Sequence, residues 1–471
     1  MKKQFLTIIG IIIGLVSFAQ SGHIMQGVGA VNMSMGGAAT AQPLDINGAI
    51  LWNPATLSSF NDKIISVSAG AFFSSPELSS SMPANMMWAG SPAVSGTIKD
   101  EHGTSIMPAL AYVWSKPKSK HTFGVSAFGV SGFGVDFPAE TNSPLAGANF
   151  NPNESSSPIS YPQQARGFGN VKSDYMLLQV SLSYAYELSD KVSIGLQPNF
   201  NYETLELAPN PTTMPDRTGN GYPVTDAAAA MGYGAQIGIF YDSHDMLKLG
   251  MSYKTKQYFS EYTFKNTYLD ANSTAAPDNN FTMNYPSILS FGMGLSGKKL
   301  DFAADVRFVN YEGTEGFKES GWQLDDTYHM PTGAVNGFGW KNMTIFSAGL
   351  SYKLMENLPI RIGYTNNTNP VKDELTFYSV SAPAVVTNAA QIGLGYTFGK
   401  LDVNVVYHKG FRGKGSKGTL LNPTPDQDFD GNGFPDGPWN ADTNPLGIVP
   451  GSSVSYDMET SMIQFTFSYK L

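Results

Sequence analysis

The residues Ile463-Gln-Phe-Thr-Phe-Ser-Tyr-Lys-Leu471 decide the fold class of this chain. Apolar and polar side chains alternate along this stretch, and a period of two is typical of a β-strand with one apolar and one polar face. The same alternation runs through residues 178–187, 391–398 and 401–408. Strands of a soluble sandwich alternate as well, but their water-facing side normally carries more Lys and Glu than these segments do. The pattern therefore favours strands that turn their apolar face to lipid.

Composition points to the same class of protein. Only 14% of the residues are charged, whereas a soluble globular protein usually has about a quarter. After the N-terminal segment, no apolar run reaches the length of about 20 residues that a membrane-spanning helix needs. A mean hydropathy of only −0.15 fits a membrane barrel, because each strand shows lipid only every second residue. We therefore predict an all-β protein, a transmembrane antiparallel β-barrel.

The cysteine count and the net charge exclude several kinds of binding site and partner. Cysteine is absent, which excludes disulfides, thiolate metal sites and a lipid-modified cysteine. The formal net charge of −9 would repel a phosphate backbone, so nucleic acid is not an expected partner.

Fourteen segments carry the alternation, and an even number is what a single-chain antiparallel barrel requires. Connections between them alternate between long and short, which predicts long external loops, short periplasmic turns and both termini in the periplasm. The predicted strands lie near residues 63–73, 106–115, 120–133, 174–188, 191–203, 231–241, 246–257, 281–296, 298–311, 343–354, 358–366, 388–398, 400–408 and 458–471.

The N-terminus is predicted to consist of two further segments. Lys2 and Lys3 precede a short apolar run that ends in Ser17-Phe-Ala19, so residues 1–19 are typical of a signal peptide cleaved after Ala19. Residues 20–62 are apolar and have no place among the strands of 63–471. Because fourteen strands leave a lumen that side chains alone do not fill, we expect these residues to fold into it as a plug.

A motif in the plug carries a resemblance to a known family. Asn53-Pro54-Ala55 follows the Gly-rich Met35-Gly-Gly-Ala38 and precedes the first predicted strand. Together with Met107–Tyr112, Phe123–Val125 and Ile360–Tyr364, it resembles the FadL/TodX family of outer-membrane transporters for long-chain fatty acids and hydrocarbons. The resemblance extends over essentially all of the mature chain.

This resemblance implies a fourteen-stranded monomeric barrel, an N-terminal hatch at Asn53-Pro54-Ala55, and external loops that first capture a hydrophobic ligand. It also implies an inward kink in strand three that opens sideways to lipid. Four glycines fall where the kink is expected, and glycine often marks a bend in a strand; ordinary barrel glycines are the alternative. They are Gly124, Gly129, Gly132 and Gly134. The chain departs from the usual outer-membrane pattern by ending in Leu471 rather than Phe, and by its long seventh loop.

The seventh loop contains the most specific local motif, Asp428-Phe-Asp-Gly-Asn-Gly-Phe-Pro-Asp436. Its oxygen ligands and central glycine resemble an EF-hand-like calcium loop, but the usual bidentate Glu at the last position is replaced by Trp439. A second register beginning at Asp426 and an acidic solvated turn both stay open as alternatives. The candidate calcium ligands are Asp428, Asp430, Asn432, Phe434 and Asp436.

No motif in the chain indicates catalysis. The Gly-x-Ser-x-Gly elbow, the His-Glu-x-x-His zinc pair and the Walker loop are absent, and the six scattered histidines are predicted to be solvated rather than ligands. No cofactor is required. We therefore predict a non-enzymatic channel for passive uptake of fatty acids or similar hydrophobic compounds across the outer membrane of a Gram-negative bacterium. The expected partners are membrane lipid, the hydrophobic ligand and the barrel-assembly machinery.

Two other functions stay open at this stage: a general diffusion porin and a lipase-like outer-membrane enzyme. Within the transporter prediction, the loops at residues 82–88 and 133–137 are expected to capture the ligand, and haem or another hydrophobic cargo remains an alternative to fatty acids.

Overall fold

Fourteen antiparallel strands form a closed ring in the computed structural model, which describes residues 22–88, 90–216, 221–266, 278–426 and 437–471. Every strand of the ring pairs with its two sequence neighbours, and the last pairs with the first. The strands are β1 Ile64–Ser74, β2 Thr104–Ser115, β3 His121–Phe137, β4 Val171–Ser189, β5 Val192–Ala208, β6 Ala228–Asp242, β7 Leu247–Lys254, β8 Ile288–Ser296, β9 Leu300–Val309, β10 Met343–Met355, β11 Leu358–Asn367, β12 Asn388–Phe398, β13 Leu401–Gly418 and β14 Ser453–Lys470.

The alternation read from the sequence corresponds to the two faces of the wall. In β14, Phe465 and Phe467 are 45% and 50% exposed on the outside, whereas Thr466 between them is fully buried. Lumen-facing positions are largely Ser, Thr, Asn and Gln, and outward positions are largely apolar. The predicted fourteen-stranded barrel is therefore confirmed.

Connections are short at one end of the barrel and long at the other, as predicted. Several long loops contain strands of their own; one hairpin, Glu77–Met82 with Val94–Lys99, continues the wall by pairing with the start of β14. None of the described helices is long and apolar enough to span a membrane.

Two strands differ clearly from their predicted extents. The prediction ended β13 near residue 408, but its ladder with β14 continues to Gly418 because backbone pairing does not need an apolar side chain. The prediction began β8 near residue 281, but β8 begins at Ile288. Residues Asn279–Phe281 instead pair with Tyr262–Phe264 in a separate loop hairpin.

Residues 22–62, called here the hatch segment, lie inside the barrel. They form helices α1 (Ala30–Ser34) and α2 (Ile46–Trp52) and a 3-10 helix (Pro54–Ser59). Asp45 caps α2, its carboxylate accepting a hydrogen bond from the Gly48 amide at 3.0 Å. The segment bonds to strands on different sides of the ring: Ala30 N donates to Thr466 Oγ1 in β14 at 2.7 Å, and Asn53 Nδ2 donates to Ile239 O in β6 at 3.1 Å. A segment with such contacts must fill the lumen.

Candidate transport path

Asn53 joins two turns of the hatch segment to the barrel wall. Its Nδ2 donates to Thr40 O at 2.8 Å and to Ile239 O of β6 at 3.1 Å, and its Oδ1 accepts from Ala55 N at 3.1 Å. Pro54 starts the 3-10 helix, where a missing N–H is tolerated. Asn53 and Ala55 are both fully buried. The role of these three residues as a hatch motif stays a prediction.

Wall glycines allow this close approach. A Cβ atom at Gly238 would overlap the Asn53 side chain, and one at Gly195 would overlap the backbone at Pro54 and Ala55. Two strands thus lack side chains where the hatch backbone touches them, which ties the glycine content of the barrel to the hatch.

A buried ion pair forms a second anchor for the hatch segment. Asp305 of β9 accepts hydrogen bonds from Ala39 N, Thr40 N and Thr40 Oγ1 at 2.8 to 3.0 Å. Arg307, two residues further on the same face, pairs with Asp305, donates to Gly37 O at 2.7 Å and lies over the Trp52 ring at 3.7 Å. Both charged side chains are only 1% exposed. Since a buried pair is costly to break, this cluster fixes the hatch against β9.

The wall is interrupted between β2 and β3. These strands pair only from Ala109 to Ser115 on β2, which leaves residues 104–108 of β2 without a ladder partner in β3 among the described residues. Beyond that point β3 pairs with the hatch segment instead: Met25 N donates to Val130 O at 3.1 Å, and Gly132 N donates to His23 O at 3.2 Å. The hatch segment therefore takes the place of β2 beside residues 130–132 of β3.

The four glycines of β3 occupy different positions around this break. Gly129 adjoins a bulge in the ladder with β4, which lies between Gly129 and Ser131. A Cβ at Gly129 would lie 3.7 Å from Pro108 O, and one at Gly132 would lie 3.4 Å from Met107 Cε, so both face the unpaired end of β2. Gly124 faces Leu57 of the hatch, and Gly134 faces His102 of the first loop. Their joint role as a lateral opening stays a prediction.

Aromatic side chains surround His23 at the start of the hatch segment. Its ring stacks on Phe317 at a centroid distance of 4.8 Å, and its Nδ1 lies 3.0 Å from the Tyr311 hydroxyl. Three further rings, Tyr175, Tyr285 and Trp340, lie within 6.0 Å. Burial lowers the pKa of His23 to about 3, so the imidazole is neutral at pH 7.

The prediction that the histidines are solvated is wrong for two of them. His23 is 3% exposed and His408 is 4% exposed. A single histidine in a sequence does not reveal that its segment enters the lumen or that its strand position faces inward.

An apolar pocket lies among the long loops at one end of the barrel. Four of these loops contribute to it, and its cavity volume is about 20 Å³. The Phe168 and Phe377 rings lie 5.2 Å apart on its wall. The remaining lining residues are Val171, Pro209, Pro211, Val335, Tyr378, Val380 and Ser381.

The calcium motif, Asp428 to Asp436, lies outside the described residues. Among the residues that are described, no three His, Asp or Glu side chains come together in a way that could hold a metal ion.

Sequence reasoning missed the Asp305–Arg307 anchor and the ring cluster at His23. A signal for the first exists, because two charged residues at i and i+2 on a barrel strand must share a face. The second depends on loops far apart in the sequence and has no local signal.

The family model described as outer membrane protein transport protein (OMPP1/FadL/TodX) matches residues 157–420. A Pseudomonas aeruginosa FadL homologue is 12% identical with a TM-score of 0.65, covering 96% of this chain and 100% of its own. No curated protein sequence matches the chain.

Two toluene transporters share the fold. The Pseudomonas putida protein TodX is 15% identical with a TM-score of 0.61, over 95% of this chain and 99% of its own. The Ralstonia pickettii protein TbuX is 14% identical with a TM-score of 0.60, over 95% and 99%. The family match covers more than half of the sequence, and a closed barrel of this family resides in the Gram-negative outer membrane. The chain therefore belongs to the OMPP1/FadL/TodX family of outer-membrane transport proteins.

Proposed function

We propose that this protein takes up long-chain fatty acids or similar hydrophobic compounds passively, capturing them among the long loops and releasing them sideways through the break between β2 and β3. The break itself carries the proposal. A closed ladder has no lateral exit, whereas the end of β2 at residues 104–108 has no partner in β3. The hatch segment that pairs with β3 there can withdraw without breaking a contact between barrel strands.

Capture needs an apolar surface that water reaches. The loop pocket bounded by Phe168, Phe377 and Tyr378 offers such a surface. Burying each methylene group is worth about 0.8 kcal/mol, so an acyl chain needs no specific polar contact to bind there once the loops move apart to admit it. Direction comes from the concentration gradient.

Movement of the hatch follows capture in this proposal. The Asn53 side chain connects Thr40 O to the wall, so a shift near Asn53-Pro54-Ala55 reaches the Asp305 anchor. Withdrawal of residues 23–25 would then expose the inner edge of β3 beside Gly129 and Gly132.

The remaining parts of the proposal concern topology and assembly. Removal of residues 1–19, which lie outside the described part of the chain, leaves a mature protein with long loops outside the cell and both termini in the periplasm. It acts as a monomer inserted by the barrel-assembly machinery, and without an obligatory cofactor. Calcium bound at Asp428 to Asp436 would order loop seven; calorimetric titration with calcium, read together with protease protection of the loop, tests this part.

Filling the break tests the proposed exit. Gly129→Leu places a side chain against Pro108 and Met107, and we expect uptake of labelled fatty acid to fall about tenfold in cells that lack another fatty acid channel. Ala127→Leu is the matched control, because Ala127 is paired with Leu110 where the ladder is intact. Equal uptake by the two variants would contradict a lateral exit at this place.

A further inference from the structure

Exposed lysines lie side by side at the short-turn end of the barrel and are called here the basic arc. They are Lys63, Lys116, Lys118, Lys120, Lys400 and Lys470. Backbone hydrogen bonds connect their segments: Leu471 N donates to Lys63 O at 2.9 Å, and Lys470 N donates to Lys400 O at 3.0 Å. The turn between β2 and β3 supplies three of the lysines and adjoins β1 in the ring. The basic arc therefore runs continuously from the β12–β13 turn to the β2–β3 turn.

The ammonium groups of the basic arc have no carboxylate partner within 4.0 Å among the described residues. At the long-loop end, by contrast, Lys172 Nζ lies 2.9 Å from Glu206 and Lys409 Nζ lies 3.2 Å from Glu459. The formal net charge of the whole chain is −9. An uncompensated positive surface on an acidic protein attracts an anionic partner, because its charge is not neutralised from within the chain.

Outward-facing aromatic rings lie on the membrane side of the basic arc. Trp114 stacks on Phe123 at a centroid distance of 5.6 Å, and Phe398 is 60% exposed on the outer face. Trp114 precedes Lys116 by two residues, and Phe398 precedes Lys400 by two, a separation of roughly 7 Å in an extended chain. Since aromatic rings concentrate where a membrane meets water, the lysines lie at the depth of lipid head groups.

The rest of the same rim carries charges of both signs. Lys248 Nζ lies 3.8 Å from Asp242, and the neighbouring turns also contain Asp190, Asp245 and Glu356. Uncompensated positive charge is thus concentrated under the strands from β13 to β3, a sector that includes the seam between β2 and β3.

We propose that the basic arc binds the phosphate groups of anionic phospholipids in the leaflet that faces the periplasm. Lysine suits this partner, because its ammonium group on a flexible stem can follow a mobile phosphate, and each lysine near an anionic membrane surface adds to the attraction. The inference takes from the proposed function only the placement of the short turns in the periplasm. It does not depend on the cargo, so its failure would leave the proposed uptake untouched.

Native mass spectrometry of the purified protein with added lipid tests the inference. Phosphatidylglycerol and phosphatidylcholine with the same acyl chains differ in head-group charge, so their comparison isolates the electrostatic contribution. We expect the unmodified protein to bind phosphatidylglycerol about tenfold more tightly. Replacing Lys116, Lys118 and Lys120 together with Gln should remove most of this preference, whereas replacing all three with Arg should keep it.

The matched control replaces Lys191, Lys298 and Lys299 with Gln, which removes the same number of exposed lysines from the rest of the rim. This variant should keep the preference, and heat-dependent gel mobility should show that every variant forms a barrel. Equal binding of the two lipids by the unmodified protein would overturn the inference, as would an equal loss of preference in both Gln variants. Binding of soluble peptidoglycan fragments without a preference between the lipids would overturn it as well, because the partner would then be the cell wall.

Discussion

The seam between β1 and β14 and the seam between β2 and β3 are built from strands of similar length but differ in how they close. β1 pairs with β14 along all of its length, from Ile64 to Ser74. β2 pairs with β3 only from Ala109 to Ser115, although both strands continue further. The length of two neighbouring strands therefore does not determine whether the ladder between them closes. A bulge lies beside Gly129 in β3, and beyond it the hatch segment bonds to the edge of β3 that β2 leaves open.

The largest effect on how the hatch segment is held in the lumen should come from a substitution at Asp305. Asp305→Ala leaves Arg307 buried without its carboxylate, and breaking one side of such a pair typically costs about 3 to 5 kcal/mol. We expect the hatch segment to become sensitive to protease while the barrel stays folded. The double variant Asp305→Leu with Arg307→Met removes both charges, so its hatch segment should be less sensitive to protease than that of Asp305→Ala. Equal protection of the hatch in Asp305→Ala and the unmodified protein would show that Asp305 does not hold it.

A smaller loss of stability should follow from removing one hydrogen bond between the hatch segment and β3, at the place where β2 does not pair with β3. Met25→Pro deletes the N–H that donates to Val130 O, and an unmade buried hydrogen bond costs about 1 to 3 kcal/mol. Hydrogen exchange of the amides in residues 130–137 should then quicken, while that in β1 should not change. Met25→Ala retains the N–H and serves as the control. Faster exchange in both variants alike would mean that side-chain packing, rather than the backbone bond, holds the edge.

An effect of similar size is expected from a pH dependence at His23. Burial lowers the pKa of this group to about 3 in the seated hatch, whereas the released segment would titrate near the ordinary value of 6.5. The released form therefore takes up a proton first as the pH falls. The free energy that holds the hatch segment in the lumen should consequently decrease below pH 6.5, by about 2 kcal/mol at pH 5. A fluorophore on Asn61→Cys can follow hatch release by denaturant at pH 7 and pH 5. His23→Phe should abolish the difference; an unchanged difference would assign the pH effect to another group.

The ring could be predicted from the sequence because its determinants are local. Alternation in β14 and short turns such as residues 399–400 repeat a two-residue period and a connection length, which neighbouring residues alone produce. The glycines of β3 likewise predict a bend, and a bulge in the ladder lies beside Gly129. Beyond that bulge, β3 could pair with residues 104–108 or with residues 23–25, and no local sequence pattern determines which of the two it pairs with.

The lumen was harder to predict for the same reason. Lys254 and Asp305 both occupy inward positions of strands, but Asp305 has the oppositely charged Arg307 beside it, whereas Lys254 forms no ion pair among the described residues. That difference arises from how the hatch segment packs across β6 to β9. Side-chain pairing inside a barrel joins residues far apart in the chain, so a period of two identifies the face but not the partner.

Photo-crosslinking with a fatty acid that carries a reactive group along its chain tests the lateral route most directly. Phe128 is fully buried at the point where the β2–β3 ladder ends, and Met107 lies on the part of β2 that has no partner in β3. The account predicts labelling of Phe128 and Met107, with little at Gln464, which faces the lumen at the closed seam. Labelling of Gln464 to the same degree as Phe128 would contradict an exit between β2 and β3.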